Sequence, residues 1–258
     1  MSFSKLYDTE SMKRKIFYYF PIFFFLSIAG CQLNSDNRDY YFPLEQLSKE
    51  AKVYEYEYRF RDTSFKSYWY YQTIQQQDSI YLVGTFYDAN FNQLLLMREQ
   101  KVKNGMRLSD MYFYGVNTEG YTVRSRADVE GGSVFPFAAK DSNSVFVNII
   151  TYKDAKDSTI KTTLTRNRRF LRPTTYGFKN TQYDALLFDM KEEQAVSDPK
   201  RGGIAHVFKI EEIYAKNIGL VYSKRYMSDS DFVECRLLDI TDMAHLEERF
   251  KIKLNQNK

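Results

Sequence analysis

The chain has 258 residues and a net charge of only +4, from 37 Lys and Arg against 33 Asp and Glu. Half of that excess lies in residues 1–30, which contain four basic and two acidic side chains. The remainder is close to neutral and lacks the concentrated basic surface of a nucleic-acid-binding protein. The 22 Tyr and 21 Phe, against 11 Gly and 5 Pro, favour β-strands.

The beginning of the chain has the three parts of a secretory signal peptide. A positive cluster at residues 13–15 precedes an apolar run at residues 16–26, and small residues follow up to Gly30. The apolar run is shorter than the roughly 20 residues that a membrane-spanning helix needs, and it contains Pro21. We therefore expect residues 1–30 to be a cleaved signal peptide.

The segment Ile28-Ala29-Gly30-Cys31 resembles the lipobox of bacterial lipoproteins. The resemblance implies cleavage between Gly30 and Cys31 and attachment of lipid, palmitate included, to Cys31. Burial of acyl chains contributes about 0.8 kcal/mol per CH₂ group, so several chains on one cysteine hold a protein firmly on a membrane. The alternative is an ordinary signal peptide that ends beside a cysteine.

The residue after the cysteine bears on the choice of membrane. In the lipoproteins that this segment resembles, Asp at that position often marks retention in the inner membrane, whereas this chain has Gln32. The resemblance therefore favours the outer membrane. It leaves open whether the protein faces the periplasm or the cell surface.

Lipid on Cys31 leaves Cys235 without a partner for an intramolecular disulfide. Stability must then come from a conventional core, even though an exported protein can form disulfides. Cys235 shares one face of a predicted strand with Val233 and Leu237, which indicates a buried thiol rather than a reactive nucleophile.

After a polar tether at residues 31–41, residues 42–258 are predicted to form one β-rich domain. Alternation of apolar and polar residues begins with residues 54–61 and recurs as far as residues 231–239, with hairpin-length links such as Asn104-Gly105. About ten or eleven short strands joined in this way predict an antiparallel meander.

A sheet this wide has to twist or curl. We therefore expect a large curved antiparallel sheet or partial barrel, with helical pieces covering one opening. The end of the chain is predicted to be a short helix, capped by Thr241 or Asp242 and continuing through Phe250.

Two short segments carry a resemblance to a known class. Tyr41-Phe42-Pro43-Leu44 and residues 213–221 (Ile-Tyr-Ala-Lys-Asn-Ile-Gly-Leu-Val) resemble uncharacterised Bacteroidota-type envelope lipoproteins. These are similar in shape to the lipoprotein-carrier (Lol-type) fold. The resemblance implies the curved-sheet architecture and no particular activity, because a fold does not fix a function.

Motifs for catalysis or metal binding are not evident. His206 and His245 are far apart and lack the spacing of metal ligands, and neither a nucleophile elbow nor a phosphate-binding loop occurs. The doublets Glu192-Glu193 and Glu211-Glu212 place neighbours on opposite faces of a strand, so they are expected to be solvated charges rather than acid/base pairs. We expect no catalytic residue, metal or cofactor.

A basic cluster is the first candidate binding feature, and it comprises Arg166, Arg168, Arg169 and Arg172. Guanidinium groups bind phosphates and carboxylates bidentately, so the cluster is a possible patch for an anion or a partner. On a strand, Arg169 points away from Arg166 and Arg168. The alternative is a sheet edge that charge protects against aggregation.

The second feature is the aromatic density of residues 54–71, which include Trp69. Such residues pack half-buried sheets, and the alternatives are stacking on sugars or lining an apolar cavity. Separately, Ser79 and Ser158 lie in Asp-Ser-Ile and Asp-Ser-Thr segments that resemble the acceptor motif for O-glycans on exported Bacteroidota proteins.

Together these features predict a non-enzymatic envelope lipoprotein, held on the membrane through Cys31. It is expected to bind an apolar ligand or an envelope protein through its curved sheet. The alternative is a surface lipoprotein that binds glycans with exposed aromatic side chains.

Overall fold

The structure, a computed structural model, describes residues 36–138 and 143–256, with side chains to Lys251. The predictions for the signal peptide, the cleavage site and the lipid on Cys31 lie outside these ranges. Asn34–Lys258 forms one compact unit by itself. None of the helices in the described ranges is long and apolar enough to cross a membrane.

Within the described residues, fourteen strands form a single antiparallel sheet. In chain order they are β1 (Lys52–Phe60), β2 (Thr63–Gln76), β3 (Ser79–Tyr87), β4 (Gln93–Val102), β5 (Gly105–Val116), β6 (Thr122–Arg126), β7 (Asp128–Glu130), β8 (Ser133–Pro136), β9 (Val145–Lys153), β10 (Lys161–Phe178), β11 (Thr181–Asp198), β12 (Gly202–Ala215), β13 (Gly219–Tyr226) and β14 (Phe232–Thr241). The helices are α1 (Leu44–Lys49) and α2 (Met243–Gln256), and a 3-10 turn spans Arg38–Tyr40.

The mainly-β class and the C-terminal helix are confirmed, and the strand number exceeds the predicted ten or eleven. The two shortest strands, β7 and β8, were not predicted and lie on either side of Gly131-Gly132, where the alternating pattern breaks. Both glycines have positive φ angles, which a glycine adopts without steric cost.

The strand order is β6-β5-β4-β3-β2-β1-β14-β13-β12-β11-β10-β9-β7, so most neighbours in sequence are hairpin partners. The turns after β1, β3 and β13 lie at one end of the sheet, which we name the upper end. The turns after β2, β4 and β12 lie at the other end, the lower end. An ion pair at the upper end joins two of these turns, from Arg61 to Asp231 at 2.7 Å.

One continuous segment nearly closes the sheet into a barrel. β6 pairs with β5, and β7, directly after Ala127, pairs with β9 at the other side of the sheet. The rings of Phe113 and Tyr152 stack across the same junction, with centroids 3.7 Å apart. Register shifts in β1, β4, β5, β10 and β12 add the local bends that a curved sheet needs.

Strand β10 is 18 residues long and continues through Pro173 to Phe178. Proline cannot donate a ladder hydrogen bond, and for that reason it is usually confined to edges. β9 pairs with β10 only as far as Arg169, so Pro173 has a partner strand on the β11 side alone. A locally free edge therefore explains how the strand tolerates proline.

The N-terminal segment of the compact unit closes the lower end. Tyr41 and Phe42 are almost fully buried, as is Leu47 of α1. The described part of the predicted tether, residues 36–41, thus belongs to the folded unit because its tyrosines fill the opening. Phe42 packs so closely on Gly219 that a Cβ there would lie 2.6 Å from its ring.

Helix α2 packs on the outer face of the sheet, not over an opening as expected. Leu246 lies in a small cluster with Val53 and Tyr68, and the ring centroids of Phe250 and Tyr68 are 5.7 Å apart. Beneath the helix, the buried carboxylate of Glu55 contacts Lys66 at 2.5 Å and Arg249 at 2.9 Å. This second packing layer leaves the upper end of the barrel uncovered by α2.

Candidate ligand cavity

The sheet encloses a cavity of about 680 Å³. Tyr41 and Phe42 line it at the lower end, where the N-terminal segment closes the barrel. Leu94 and Met227 line it near upper-end turns and are 39% and 48% exposed. The cavity is therefore closed below and open above.

The two sides of the cavity differ in chemistry. Except for Glu99 near its lower end, the wall from β2 to β5 is apolar and includes Trp69, Phe86, Leu95, Met97 and Phe113. These side chains share the inner face because alternate residues of a strand point the same way. The opposite wall, β10 to β13, mixes apolar side chains with three arginines and two glutamates.

Glu192 on β11 is the centre of the charged wall. Its side chain is buried, and its two carboxylate oxygens contact different arginines. Arg166 Nε lies 2.6 Å from Oε2, and a terminal nitrogen of Arg225 lies 2.9 Å from Oε1. The Arg225 guanidinium also lies 3.9 Å from the ring centroid of Phe208. Burial of a carboxylate requires such partners.

A second ion pair joins Arg168 of β10 to Glu212 of β12 at 2.7 Å. Both side chains are about nine-tenths buried. Burial alone would lower the pKa of Arg168, but the nearby Glu212, Tyr214 and Glu99 raise it above its ordinary value. Arg168 therefore stays cationic inside the barrel.

The third buried carboxyl, Glu99 of β4, lies near the lower end and accepts a hydrogen bond from the Tyr41 hydroxyl. Burial raises the pKa of Glu99 from 4.5 to about 7, although the bond from Tyr41 and the charges of Arg168 and Arg166 oppose the shift. This hydrogen bond fastens the N-terminal segment to the sheet. Near neutral pH, the Glu99 carboxyl is divided between its charged and neutral forms.

The four arginines of the predicted patch are divided between two faces of β10. Arg166 and Arg168 line the cavity, whereas Arg169 and Arg172 are exposed. As expected, Arg169 points away from the first two. The part of β10 that carries Arg166, Arg168 and Arg169 pairs with strands on both sides, so it is not the charged sheet edge of the alternative interpretation.

The glutamate doublets split between faces as expected, but they are not all solvated. Glu193 is exposed, whereas Glu192 and Glu212 are 2% and 7% exposed inside the barrel. The period-two pattern of the sequence already indicated that both residues face inwards. Glu192 continues the face of Phe188 and Met190, and Glu212 lies between Ile210 and Tyr214.

Neither Glu99 nor Arg225 was predicted from the sequence to be a functional residue. Glu99 follows the inner-facing Leu95 and Met97 at the same spacing, so the pattern was available. Arg225 lies beyond a register shift in the β12–β13 pairing, between Ile213 and Tyr214. Such a shift changes the face of the following residues, and simple alternation therefore misplaces them.

The aromatic segment at residues 54–71 contributes to both faces of the sheet. Tyr54 and Tyr56 are buried in the main core, Trp69 lines the cavity, and Tyr68 packs under α2. Cys235 is buried and lines the inner face, where burial raises the pKa of its thiol to about 12. A thiol in this setting is inert.

The remaining predicted residues lie apart from the cavity. His206 and His245 are exposed on β12 and α2. Within the described part of the chain, no group of three or more His, Cys, Asp or Glu side chains is placed to hold a metal ion. Ser158 is exposed in the turn after β9, and half-buried Ser79 begins β3.

The raised pKa of Glu99 predicts a pH dependence of stability. The folded protein keeps a proton that the unfolded chain releases above about pH 4.5, so the stabilising contribution of Glu99 falls as the pH rises towards about 7. Between pH 4.5 and 8, we expect the free energy of unfolding of Glu99→Gln to rise relative to that of the wild type by up to about 3 kcal/mol. Urea unfolding at several pH values measures the difference.

The matched control is Glu193→Gln, on the outer face of β11. Its free energy of unfolding should follow the wild-type curve across the same pH range. A difference between Glu99→Gln and the wild type that stays constant with pH would contradict the burial of an ionisable Glu99.

No family model matches the sequence, and no curated protein matches it. Solved structures match the fold. A protein from Parabacteroides distasonis described as a lipoprotein aligns with a TM-score of 0.51 and 15% identity, over 78% of this chain and 97% of its own. An exported protein with a YmcC-like fold from Bacteroides fragilis aligns with a TM-score of 0.51 and 14% identity, over 78% and 99%.

The lipoprotein YmcC from Escherichia coli aligns with a TM-score of 0.33 and 10% identity, over 76% of this chain and 88% of its own. The two stronger alignments cover almost the whole of the solved chains. The chain therefore has the same curved-sheet fold as two bacterial proteins described as a lipoprotein and as an exported protein.

Proposed function

We propose that the protein is a non-enzymatic cell-envelope lipoprotein, anchored by lipid on Cys31, that binds an apolar ligand inside its curved sheet. The cavity is the observation that carries the proposal. Protein interiors are close-packed and contain few voids larger than a water molecule. A space of about 680 Å³ lies instead in the range of small-molecule sites, which is about 300–1,000 Å³.

The composition of the cavity supports a ligand that is mainly apolar. Most of the wall from β2 to β5 consists of aromatic, Leu and Met side chains, and covering their apolar surface with a ligand stabilises the complex by about 25 cal/mol per Å². Two of these residues are methionines, Met97 and Met111, whose flexible side chains adapt to the shape of a bound molecule.

The anchor rests on the lipobox resemblance and agrees with the descriptions of the two structural neighbours. Cys31 lies five positions before Asp36, whose backbone pairs with Ala138 at the lower end. A chain of that length spans at most about 18 Å. Placement in the outer membrane, from Gln32, and similarity to lipoprotein carriers remain parts of this proposal.

Glycan binding has less support than a ligand in the cavity. An exposed row of aromatic side chains would favour glycans, but Trp69 lies inside the barrel, stacked on Tyr71 with ring centroids 5.4 Å apart. Among the described residues, Phe65 and Tyr121 are strongly exposed, at 53% and 67%, but Phe65 lies near the start of β2 and Tyr121 in the turn before β6.

The two cysteines provide a direct test of the anchor. Cells grown with an alkyne-bearing fatty acid should label the wild-type protein, and Cys31→Ser should abolish the label because it removes the acceptor thiol. Cys235→Ser is the matched control and should keep the label, since its thiol is buried in the barrel. Label that persists in Cys31→Ser would refute lipid attachment at this residue.

The ligand site is tested with N-phenyl-1-naphthylamine, a neutral dye that fluoresces in apolar surroundings. The chain from Asn34 onward is suitable because it forms a compact unit by itself. Dye binding should saturate in the wild type. Leu95→Trp should weaken dye binding by about tenfold or more, which is about 1.4 kcal/mol, because the indole ring occupies part of the space that the dye needs.

Leu96→Trp is the matched control for the dye experiment. Leu96 neighbours Leu95 on β4 and points to the opposite face, so its substitution should leave the affinity for the dye unchanged. A wild type without saturable fluorescence, or an equal loss in both variants, would show that the cavity does not bind apolar molecules.

A further inference from the structure

The charged wall specifies more than an apolar ligand, and its role in ligand binding rests on the proposed function. Six arginine and glutamate side chains line the cavity: Glu99, Arg166, Arg168, Glu192, Glu212 and Arg225. Burying such groups costs free energy, and apolar residues of similar size usually stabilise a core as well or better. A cavity that only had to hold an apolar molecule would not need them.

The pairing of these groups leaves positive charge in excess. Arg168 and Glu212 neutralise each other, whereas Arg166 and Arg225 share the single carboxylate of Glu192. Glu99 is hydrogen-bonded to Tyr41, and its pKa of about 7 leaves it only partly ionised at neutral pH. The cluster of Arg166, Glu192 and Arg225 therefore carries a net charge of about +1.

Arg166 and Arg225, which share the carboxylate of Glu192, are also more accessible to solvent than Arg168. The side chains of Arg166 and Arg225 are 33% and 32% exposed, against 10% for Arg168. Each guanidinium has five N–H donors, and the ion pair with Glu192 occupies only part of them. Donors therefore remain for an oxyanion that enters the cavity.

We propose that the cavity binds an amphiphile with an anionic head group, a carboxylate or a phosphate, which pairs with Arg166 and Arg225. The apolar part of the molecule lies on the opposite wall, against Trp69, Phe86 and Leu95. Guanidinium groups bind both kinds of oxyanion through paired, charge-assisted hydrogen bonds.

Other ligand classes fit these walls less well. A cationic head group meets like charge at Arg166 and Arg225, and the carboxylates of Glu192 and Glu212 already have arginine partners. A wholly apolar molecule would remove water from the charged wall without replacing its hydrogen bonds, which costs free energy.

The experiment uses displacement of N-phenyl-1-naphthylamine by three probes with the same chain length: dodecanoate, dodecyl phosphate and dodecanol. At least one anionic probe should displace the dye at a concentration about tenfold or more below that of dodecanol, because charge-assisted hydrogen bonds are the stronger ones. The better anionic probe identifies the head group as a carboxylate or a phosphate.

Arg225→Gln tests the assigned residue. Glu192 keeps Arg166 as its partner in this variant, so the buried carboxylate is not left alone. The variant should bind the dye and dodecanol as the wild type does, and should lose about tenfold in affinity for the anionic probe. Arg169→Gln, on the outer face of β10, is the control and should change none of these affinities.

The outcomes separate the apolar site from its preference for a head group. Dye that does not bind at all overturns the apolar site itself. Dye that binds, with dodecanol displacing it as well as both anionic probes do, overturns only the head-group assignment. An equal loss of affinity for dodecanol and for the anionic probe in Arg225→Gln also contradicts the head-group assignment. The arginine would then affect the cavity without recognising charge.

Discussion

The fold depends on how the two sides of one wide sheet meet. Thr122–Glu130 is the element that joins them, since its first half pairs with β5 and its second half with β9. Without that junction, the inner faces of β2 to β5 and of β10 to β13 would line an open trough. With it, they enclose a space, and side chains of opposite chemistry face each other across it.

The cavity is closed at its lower end and open at its upper end because of where the N-terminal segment and the C-terminal helix pack. The N-terminal segment inserts Tyr41 and Phe42 into the lower end, and the Tyr41–Glu99 hydrogen bond fixes it to β4. The C-terminal helix packs on the outside, where Leu246 and Phe250 cover β1 and β2. The N-terminal segment and the C-terminal helix therefore stabilise the barrel, and neither fills its upper end.

Much of the architecture was predictable from the sequence because period-two alternation is a local property. Tyr54 and Tyr56 in β1, and Cys235 and Leu237 in β14, face inwards as the pattern requires. The short strands β7 and β8, on either side of Gly131-Gly132, were missed because three or four residues give too few repeats of the pattern. The extension of β10 through Pro173 depends on where β9 ends, which is a tertiary fact.

The candidate site was harder to predict because it depends on closure. Arg166 was selected as part of a surface patch, and Glu192 was expected to be solvated, yet the two meet in a buried ion pair. Their alternation placed them on the inner face of the sheet. That the inner face is enclosed, and that Arg225 approaches Glu192 from β13 after a register shift, required the three-dimensional structure.

The central claim is that this enclosed space holds a molecule in the cell, and native mass spectrometry of the protein purified from the cells that make it tests the claim most directly. The lipid proposed for Cys31 is covalent and would count towards the mass of the polypeptide. We expect an additional non-covalent mass, released on gentle activation as an anionic amphiphile and missing from Leu95→Trp. A spectrum that shows the polypeptide with any covalent lipid and nothing more, or the same additional mass in Leu95→Trp, would contradict the claim.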